Sequence, residues 1–233
     1  MEKLQTNYNI IKEIGIGAFA RVFLAEHKIL KQTVAIKVIQ INEQQGHHTL
    51  AAIQQEADLL KSLNHPYITT LYDFILTPDT AFLVMEYLEG GSLLEKINTN
   101  GPIAESTAKE IFFQLINAIY YLQQMRVVHR DIKIENILFD KFRNIRLIDF
   151  GLSRSMSDTN NIMQTQCGSL SFAAPEMIVG KSYGASVDIW SAGVVLYTMV
   201  TGQLPFEDTN LKNQLPKIIN SSPSYPPNLS PSL

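Results

Sequence analysis

The chain changes character at Glu89-Gly90-Gly91-Ser92, a short stretch of turn-forming residues. Five segments before this break carry the β-branched and aromatic residues that are typical of strands: 8–14, 20–26, 33–40, 68–76 and 81–87. After the break, apolar residues recur at the three- and four-residue spacing of helices. The sequence therefore predicts an α+β fold with a small strand-rich lobe, residues 1–88, and a larger, mainly helical lobe, residues 89–220.

The second lobe has further predicted elements. Three helices are expected, at 104–125, 187–201 and 209–219. Pro216 should interrupt the last of them, because proline cannot donate a helical hydrogen bond. A hairpin is expected around residues 140–144. The last residues, 221–233, hold four prolines and five serines and have little to bury, so they are expected to form a loose tail.

The composition restricts the setting in which the protein works. A net charge of −3 and a pI near 6.0 give no support for a nucleic-acid partner. The single cysteine, Cys167, cannot form an internal disulfide, which favours a reducing compartment. Residues 1–7 lack the apolar core of a signal peptide, and the apolar run 192–200 is too short to span a bilayer. We expect a protein of the cytosol or nucleus that does not insert into membranes.

The densest group of reactive side chains lies in His129-Arg130-Asp131-Ile132-Lys133-Ile134-Glu135-Asn136, followed by Asp149-Phe150-Gly151. This run supplies a carboxylate, Asp131, to orient a nucleophile and a cation, Lys133, to balance developing negative charge. Asn136 and Asp149 add two oxygen ligands of the kind that Mg²⁺ prefers. The combination is the one that phosphoryl transfer requires.

The first lobe carries groups that could hold phosphates. Gly15-Ile16-Gly17 lies between two predicted strands, where glycines let backbone N–H groups approach phosphate oxygens; the alternative is an ordinary tight hairpin. Lys37 ends the apolar run Val34-Ala35-Ile36, and the alternative is a solvated lysine on an edge strand. One helix is predicted in this lobe, at 49–63, and it places Glu56 on its apolar face, where it could pair with Lys37.

Together these motifs make residues 8–226 resemble a eukaryotic protein kinase. Asp131-x-Lys133-x-x-Asn136 resembles the serine/threonine form of the catalytic loop. Ala174-Pro175-Glu176 resembles the end of an activation segment, and Asp188-Ile189-Trp190-Ser191-Ala192-Gly193 the helix that anchors the catalytic loop. The resemblance is to the calcium/calmodulin-dependent and AMP-activated kinase-like group. It implies a bilobal fold, with an antiparallel sheet and one helix in the first lobe, and transfer of the γ-phosphoryl group of ATP, with Mg²⁺, to Ser/Thr hydroxyls of protein substrates.

The resemblance assigns roles by position. Asp131 would accept the substrate proton, Lys133 would steady the γ-phosphate, and Lys37, held by Glu56, would fix the α- and β-phosphates. Asn136 and Asp149 would bind Mg²⁺. The ATP pocket would comprise Ile14, Gly15, Gly17, Val22, Ala35, Lys37, Met85, Glu86, Leu88 and Leu138. A stack joining the lobes would comprise Leu60, Leu71, His129 and Phe150.

The resemblance also bears on regulation and substrate choice. Thr165 lies where relatives of this group carry an activating phosphothreonine added by an upstream kinase, and Arg130 could pair with that phosphate. An unmodified loop threonine is the alternative. Leu170 replaces a proline and Phe172 a frequent tyrosine, both where the substrate docks.

The end of the chain departs from the family pattern. Kinases of this family continue through further helices, one of which carries an arginine that pairs with the residue at Glu176. We therefore expect a C-terminally shortened helical lobe that lacks its last helices, with Glu176 as a buried carboxylate without its partner. A catalytically impaired scaffold of the same fold is the alternative function. A generic ATPase would need a Gly-x-x-x-x-Gly-Lys loop, which the sequence lacks.

Overall fold

Our computed structural model describes residues 2–17, 20–42, 49–155, 169–208, 210–227 and 229–231. The chain divides into an N-terminal unit, Met1–Glu89, and a C-terminal unit, Gly90–Leu233. Among the helices in the described ranges, none is long and apolar enough to cross a membrane.

The N-terminal unit is built on a five-stranded antiparallel sheet with the order β1-β2-β3-β5-β4. Its strands are β1 Tyr8–Ile16, β2 Ala20–His27, β3 Thr33–Gln40, β4 Leu71–Leu76 and β5 Thr80–Glu86. A short helix that the sequence did not predict, α1 Glu2–Asn7, buries Leu4 in a core with Tyr8 and the apolar residues of β2, β3 and β5. The central position of β3 places Lys37 between two neighbouring strands, so the edge-strand interpretation of this lysine is wrong.

Helix α2, Leu50–Ser62, is the one predicted at 49–63. Thr49 caps its N-terminus by accepting the Ala52 N–H at 3.3 Å. Ile53, Ala57 and Leu60 are buried on one face, as the apolar spacing predicted. Because Glu56 lies between them in sequence, the helix carries its carboxylate on the packed side.

The C-terminal unit is mainly helical. Its helices are α3 Leu93–Asn100, α4 Glu105–Gln124, α5 Pro175–Ile178, α6 Ser186–Thr201 and α7 Leu211–Asn220, and its short strands are β6 Val127–Val128, β7 Ile137–Phe139, β8 Ile145–Leu147 and β9 Arg154–Ser155. Helix α6 buries residues around most of its circumference and forms the centre of the unit. The unit begins at Gly90, where a Cβ would come within 2.7 Å of the Phe139 Cβ, so the close approach of the β7–β8 hairpin requires glycine.

One expectation for this unit needs correction. Helix α7 is not interrupted at Pro216, its sixth residue, but continues to Asn220. The proline removes only one backbone donor, while Gln214 and Ile218 are buried and Lys217 forms an ion pair with Asp208 at 2.9 Å.

The described part of the tail forms hydrogen bonds with two helices of the unit. Ser230 N–H donates to the Glu105 carboxylate at 2.8 Å, and the Tyr197 hydroxyl donates to the Ser224 carbonyl at 2.6 Å. Hydrogen bonds from the side chain and the backbone N–H of Ser230 hold the pKa of Glu105 below its usual range.

Candidate active site

The Asp131 carboxylate is fixed by two residues of its own loop. Lys133 Nζ lies 2.7 Å from Asp131 Oδ2. Asn136 Nδ2 donates to the same oxygen at 2.9 Å and to the Asp131 carbonyl at 2.8 Å. Both side-chain bonds end on Oδ2, and within the described ranges no residue donates to Oδ1. The second oxygen is therefore the one that can accept a proton from an incoming hydroxyl.

The backbone of this loop is anchored by Asp188 of α6. Its buried carboxylate accepts the N–H of His129 at 2.8 Å and the N–H of Arg130 at 2.9 Å. Burial raises the pKa of Asp188, while His129 and these two amides pull the pKa in the opposite direction. The anchor also holds Arg130 at φ +69°, a conformation that non-glycine residues rarely adopt.

Asp149 is brought beside the catalytic loop by the end of the β7–β8 hairpin. Ile148 N–H donates to the Asn136 carbonyl at 2.9 Å, and the His129 ring nitrogen Nε2 lies 3.1 Å from the Ile148 carbonyl. Asp149 is exposed and has φ +64°. Left-handed backbone at non-glycine residues costs roughly 1–3 kcal/mol each and clusters at functional sites. Asn136 and Asp149 thus lie on neighbouring segments, as their proposed shared role requires.

The donor set suits Mg²⁺. Both amide N–H groups used by Asn136 are directed to Asp131, which leaves the amide oxygen as its ligating atom. A neutral amide oxygen and an exposed carboxylate are ligands of the type that this cation binds together with phosphate oxygens. Asn136 and Asp149 therefore fit the metal role that the resemblance implied.

Lys37 and Glu56 form the predicted ion pair within the N-terminal unit. Lys37 Nζ lies 2.9 Å from Glu56 Oε1, and the two side chains are only 17% and 9% exposed. A lysine held this way keeps its direction, which a phosphate-binding role requires.

Several residues of the proposed ATP pocket lie on adjoining strands of the same sheet. Val22 pairs with Lys37, and Met85 pairs with Ala35. The Glu86 N–H donates to the Thr70 carbonyl at 3.1 Å within the N-terminal unit. The sheet thus groups an apolar surface with the lysine.

The glycine turn and the remaining pocket residues are placed as follows. Gly15 pairs with Val22 across the β1–β2 hairpin, and Gly17 N–H donates to the Ala20 carbonyl at 2.7 Å. Ile14 is 40% exposed, whereas Leu88 is buried. In the C-terminal unit, Leu138 is half-buried and forms a bridge with Ser92. A Cβ added at Gly15 or Gly17 would meet no atom closer than 3.4 Å, so close packing does not require glycine at either position.

The proposed stack has two members in each unit, Leu60 and Leu71 in the first and His129 and Phe150 in the second. Phe150 is buried and meets the His129 ring edge-on at 4.7 Å. Leu60 and Leu71 are buried within the N-terminal unit. The catalytic loop therefore gains support from an aromatic contact at His129, two residues before Asp131.

Of the proposed regulatory pair, Arg130 and Thr165, the structure describes Arg130. Arg130 lies over the Tyr183 ring at 5.4 Å, whereas Thr165 lies outside the described residues.

Glu176 is half-buried rather than buried, so the expected cost of a fully desolvated carboxylate is relieved by solvent.

Sequence reasoning missed Ser153 and Tyr183. The Ser153 hydroxyl donates to the His129 carbonyl at 3.2 Å and adds a further brace to the loop. A serine after Asp-Phe-Gly has no pattern that distinguishes it from a surface residue, and the Arg130–Tyr183 contact joins segments far apart in sequence.

Comparison with known proteins agrees with this geometry. The sequence matches the protein kinase domain over residues 8–229. The chain belongs to the protein kinase family. It is 42% identical to the SNF1-related protein kinase catalytic subunit alpha KIN12 of Arabidopsis thaliana over 96% of its own length and 45% of that relative.

Other relatives are similar to the same extent. The serine/threonine protein kinase OSK3 of Oryza sativa subsp. indica is 41% identical over 96% of this chain and 44% of its own length. The carbon catabolite-derepressing protein kinase of Secale cereale is 42% identical over 91% of this chain and 43% of its own length. The chain thus spans less than half the length of these relatives, and it is similar to SNF1-related kinases over almost all of its own residues.

Proposed function

We propose that this chain is an ATP-dependent protein kinase that phosphorylates Ser and Thr hydroxyls of protein substrates. One observation carries the proposal: Lys133 and Asn136 both hold Asp131 Oδ2, and the geometry leaves Oδ1 for the substrate hydroxyl. The relatives' names and the lysine two residues after Asp131 support serine and threonine as the acceptors.

In this proposal, each side chain has one task. Asp131 orients the hydroxyl and takes its proton, and Lys133, already 2.7 Å from that carboxylate, provides positive charge for the oxygens of the transferred group. Lys37, aligned by Glu56, would hold the α- and β-phosphates, and Asn136 and Asp149 would hold Mg²⁺. When bound, ATP would supply the phosphoryl group, and Mg²⁺ would neutralise part of its charge. The protein contributes mainly position and electrostatic stabilisation.

The proposal extends to organisation and control. Residues 1–88 would form the ATP-binding lobe, with the pocket predicted from the sequence, and residues 89–220 would form the catalytic lobe. An upstream kinase would phosphorylate Thr165, and the Arg130 guanidinium would form an ion pair with that phosphate. The expected place of action is the cytosol or nucleus. Because Lys37, Glu56, Asp131, Lys133, Asn136 and Asp149 are all present, an active enzyme is favoured over a scaffold.

The test is phosphate transfer from labelled ATP to a generic protein substrate, followed by phosphoamino-acid analysis. The wild-type chain should label serine and threonine, and the Asp131→Asn variant should lose nearly all transfer because its amide cannot accept the proton. Asp79→Asn, on an exposed turn of the N-terminal unit, is the matched control and should keep full activity. Equal labelling by wild type and Asp131→Asn would overturn the proposal, and ATP hydrolysis without labelled substrate would indicate an ATPase instead.

A further inference from the structure

A turn of 3₁₀ helix, Ser169–Phe172, is attached to the helix that anchors the catalytic loop. The Ser191 hydroxyl on α6 lies 2.8 Å from the Phe172 carbonyl and 3.0 Å from the carbonyl of Val187. Asp188, three residues earlier on the same helix, holds the backbone of His129 and Arg130. One rigid helix therefore fixes both the turn and the loop that carries Asp131.

The segment after this turn packs against the strand that leads into the catalytic loop. Val128 of β6 forms a buried cluster with Ala174, Met177 and Val187. The turn and the loop that carries Asp131 are therefore joined both through this strand and through α6. Leu170, in the middle of the turn, is half-buried, so part of its side chain can meet a substrate.

Helix α7 reaches the same turn through a buried polar pair. Gln214 Nε2 lies 2.9 Å from the Ser171 hydroxyl oxygen, and the two residues are only 7% and 8% exposed. Glutamine is mostly an exposed residue, so its burial here needs a partner. If one member of a buried hydrogen-bonded pair is removed, the other is left unsatisfied, and the local structure must shift to relieve it.

We propose that Gln214 is a positioning residue for protein substrates. Acting through Ser171, it sets the conformation of the Ser169–Phe172 turn and thereby the place where Leu170 meets the residue beside the phosphorylated serine or threonine. This inference rests on the proposed kinase function. It makes α7 part of substrate recognition, although α7 contributes none of the six residues proposed for catalysis.

The test separates substrate binding from chemistry. Gln214→Met keeps the length of the side chain and removes its donor. The KM for a peptide substrate should rise about fivefold to tenfold, while kcat and the KM for ATP should stay within about twofold, and a peptide library should show an altered preference beside the target residue. Gln203→Met, at an exposed site of the same unit, is the control and should match wild type in all four readouts.

A second pair of variants tests the link itself. Ser171→Ala should raise the peptide KM as Gln214→Met does, and the double variant Ser171→Ala/Gln214→Met should bring it back towards wild type, because neither buried polar atom is then left without its partner. Thermal unfolding of each variant checks the fold, and if Gln214→Met does not fold, Ser171→Ala and the double variant decide. An unchanged peptide KM would overturn the positioning role. So would a fall in kcat together with equal rises in the KM values for peptide and ATP, if these changes follow the loss of stability. A wild-type chain without phosphate transfer would instead overturn the proposed function and this inference with it.

Discussion

Lys37 and Asp131, one in each unit, are held in different ways. In the N-terminal unit, Lys37 is directed by an ion pair with Glu56, which joins one strand to one helix. In the C-terminal unit, Asp131 is braced by Lys133 and Asn136, and its backbone is anchored through Asp188. The comparison teaches that the catalytic carboxylate is preorganised by a network, whereas the lysine depends on the relative position of two elements. We expect damage to the network to cost stability and activity together, and damage to the ion pair to cost activity alone.

The largest combined loss of stability and activity should come from Asp188→Ala. This change leaves the N–H groups of His129 and Arg130 buried without an acceptor, and the free energy of unfolding should fall by about 2–4 kcal/mol. Displacement of the loop should lower kcat about 100-fold. Urea unfolding and steady-state kinetics measure both. Asp188→Asn keeps one acceptor oxygen and should lose less, so equal losses in the two variants would contradict the anchoring role.

Removal of the ion pair should separate activity from stability. In the double variant Lys37→Met/Glu56→Gln, no charge is left stranded, and the free energy of unfolding should change by no more than about 1 kcal/mol. The loss of a charge-assisted contact with phosphate should lower kcat/KM for ATP about 10- to 100-fold. If urea unfolding shows as large a loss as Asp188→Ala, the contrast between the two regions is wrong.

Asn136→Ala should act on the metal. This variant loses a proposed Mg²⁺ ligand and the brace to Asp131 Oδ2. The Mg²⁺ concentration for half-maximal activity should therefore rise by at least roughly tenfold. Asn100→Ala, at the exposed end of α3, is the control for a lost surface amide. An unchanged Mg²⁺ dependence with a lower kcat would leave Asn136 only as a brace for Asp131.

The elements that position the site could be predicted from the sequence because they are periodic. The apolar spacing of α2 placed Glu56 on its packed face, and the motif order placed Asp131, Asn136 and Asp149 together. Helix α1 could not be predicted, since six residues with one buried leucine form no pattern. The proline in α7 was a misleading signal, because burial of Gln214 and Ile218 outweighs one missing donor. Long-range pairs such as Gln214–Ser171 leave no trace in sequence spacing, since their partners are 43 residues apart.

The smallest effect tests the anchorage of α7 itself. The hydrogen bond from Lys217 lowers the pKa of Asp208, with the Asn210 N–H as the next cause. A carboxyl whose pKa is lower in the folded state stabilises that state above its unfolded pKa, near 3.8, and this contribution is lost as the pH falls through the folded pKa. Wild type should therefore be slightly more stable than Asp208→Asn at pH 7, and the difference in the free energy of unfolding should close as the pH is lowered below 4. Urea unfolding at a series of pH values measures this difference. A gap that stays constant down to the lowest accessible pH would show that the Asp208 ion pair does not hold α7, and that the buried face of Gln214 and Ile218 alone fixes the helix.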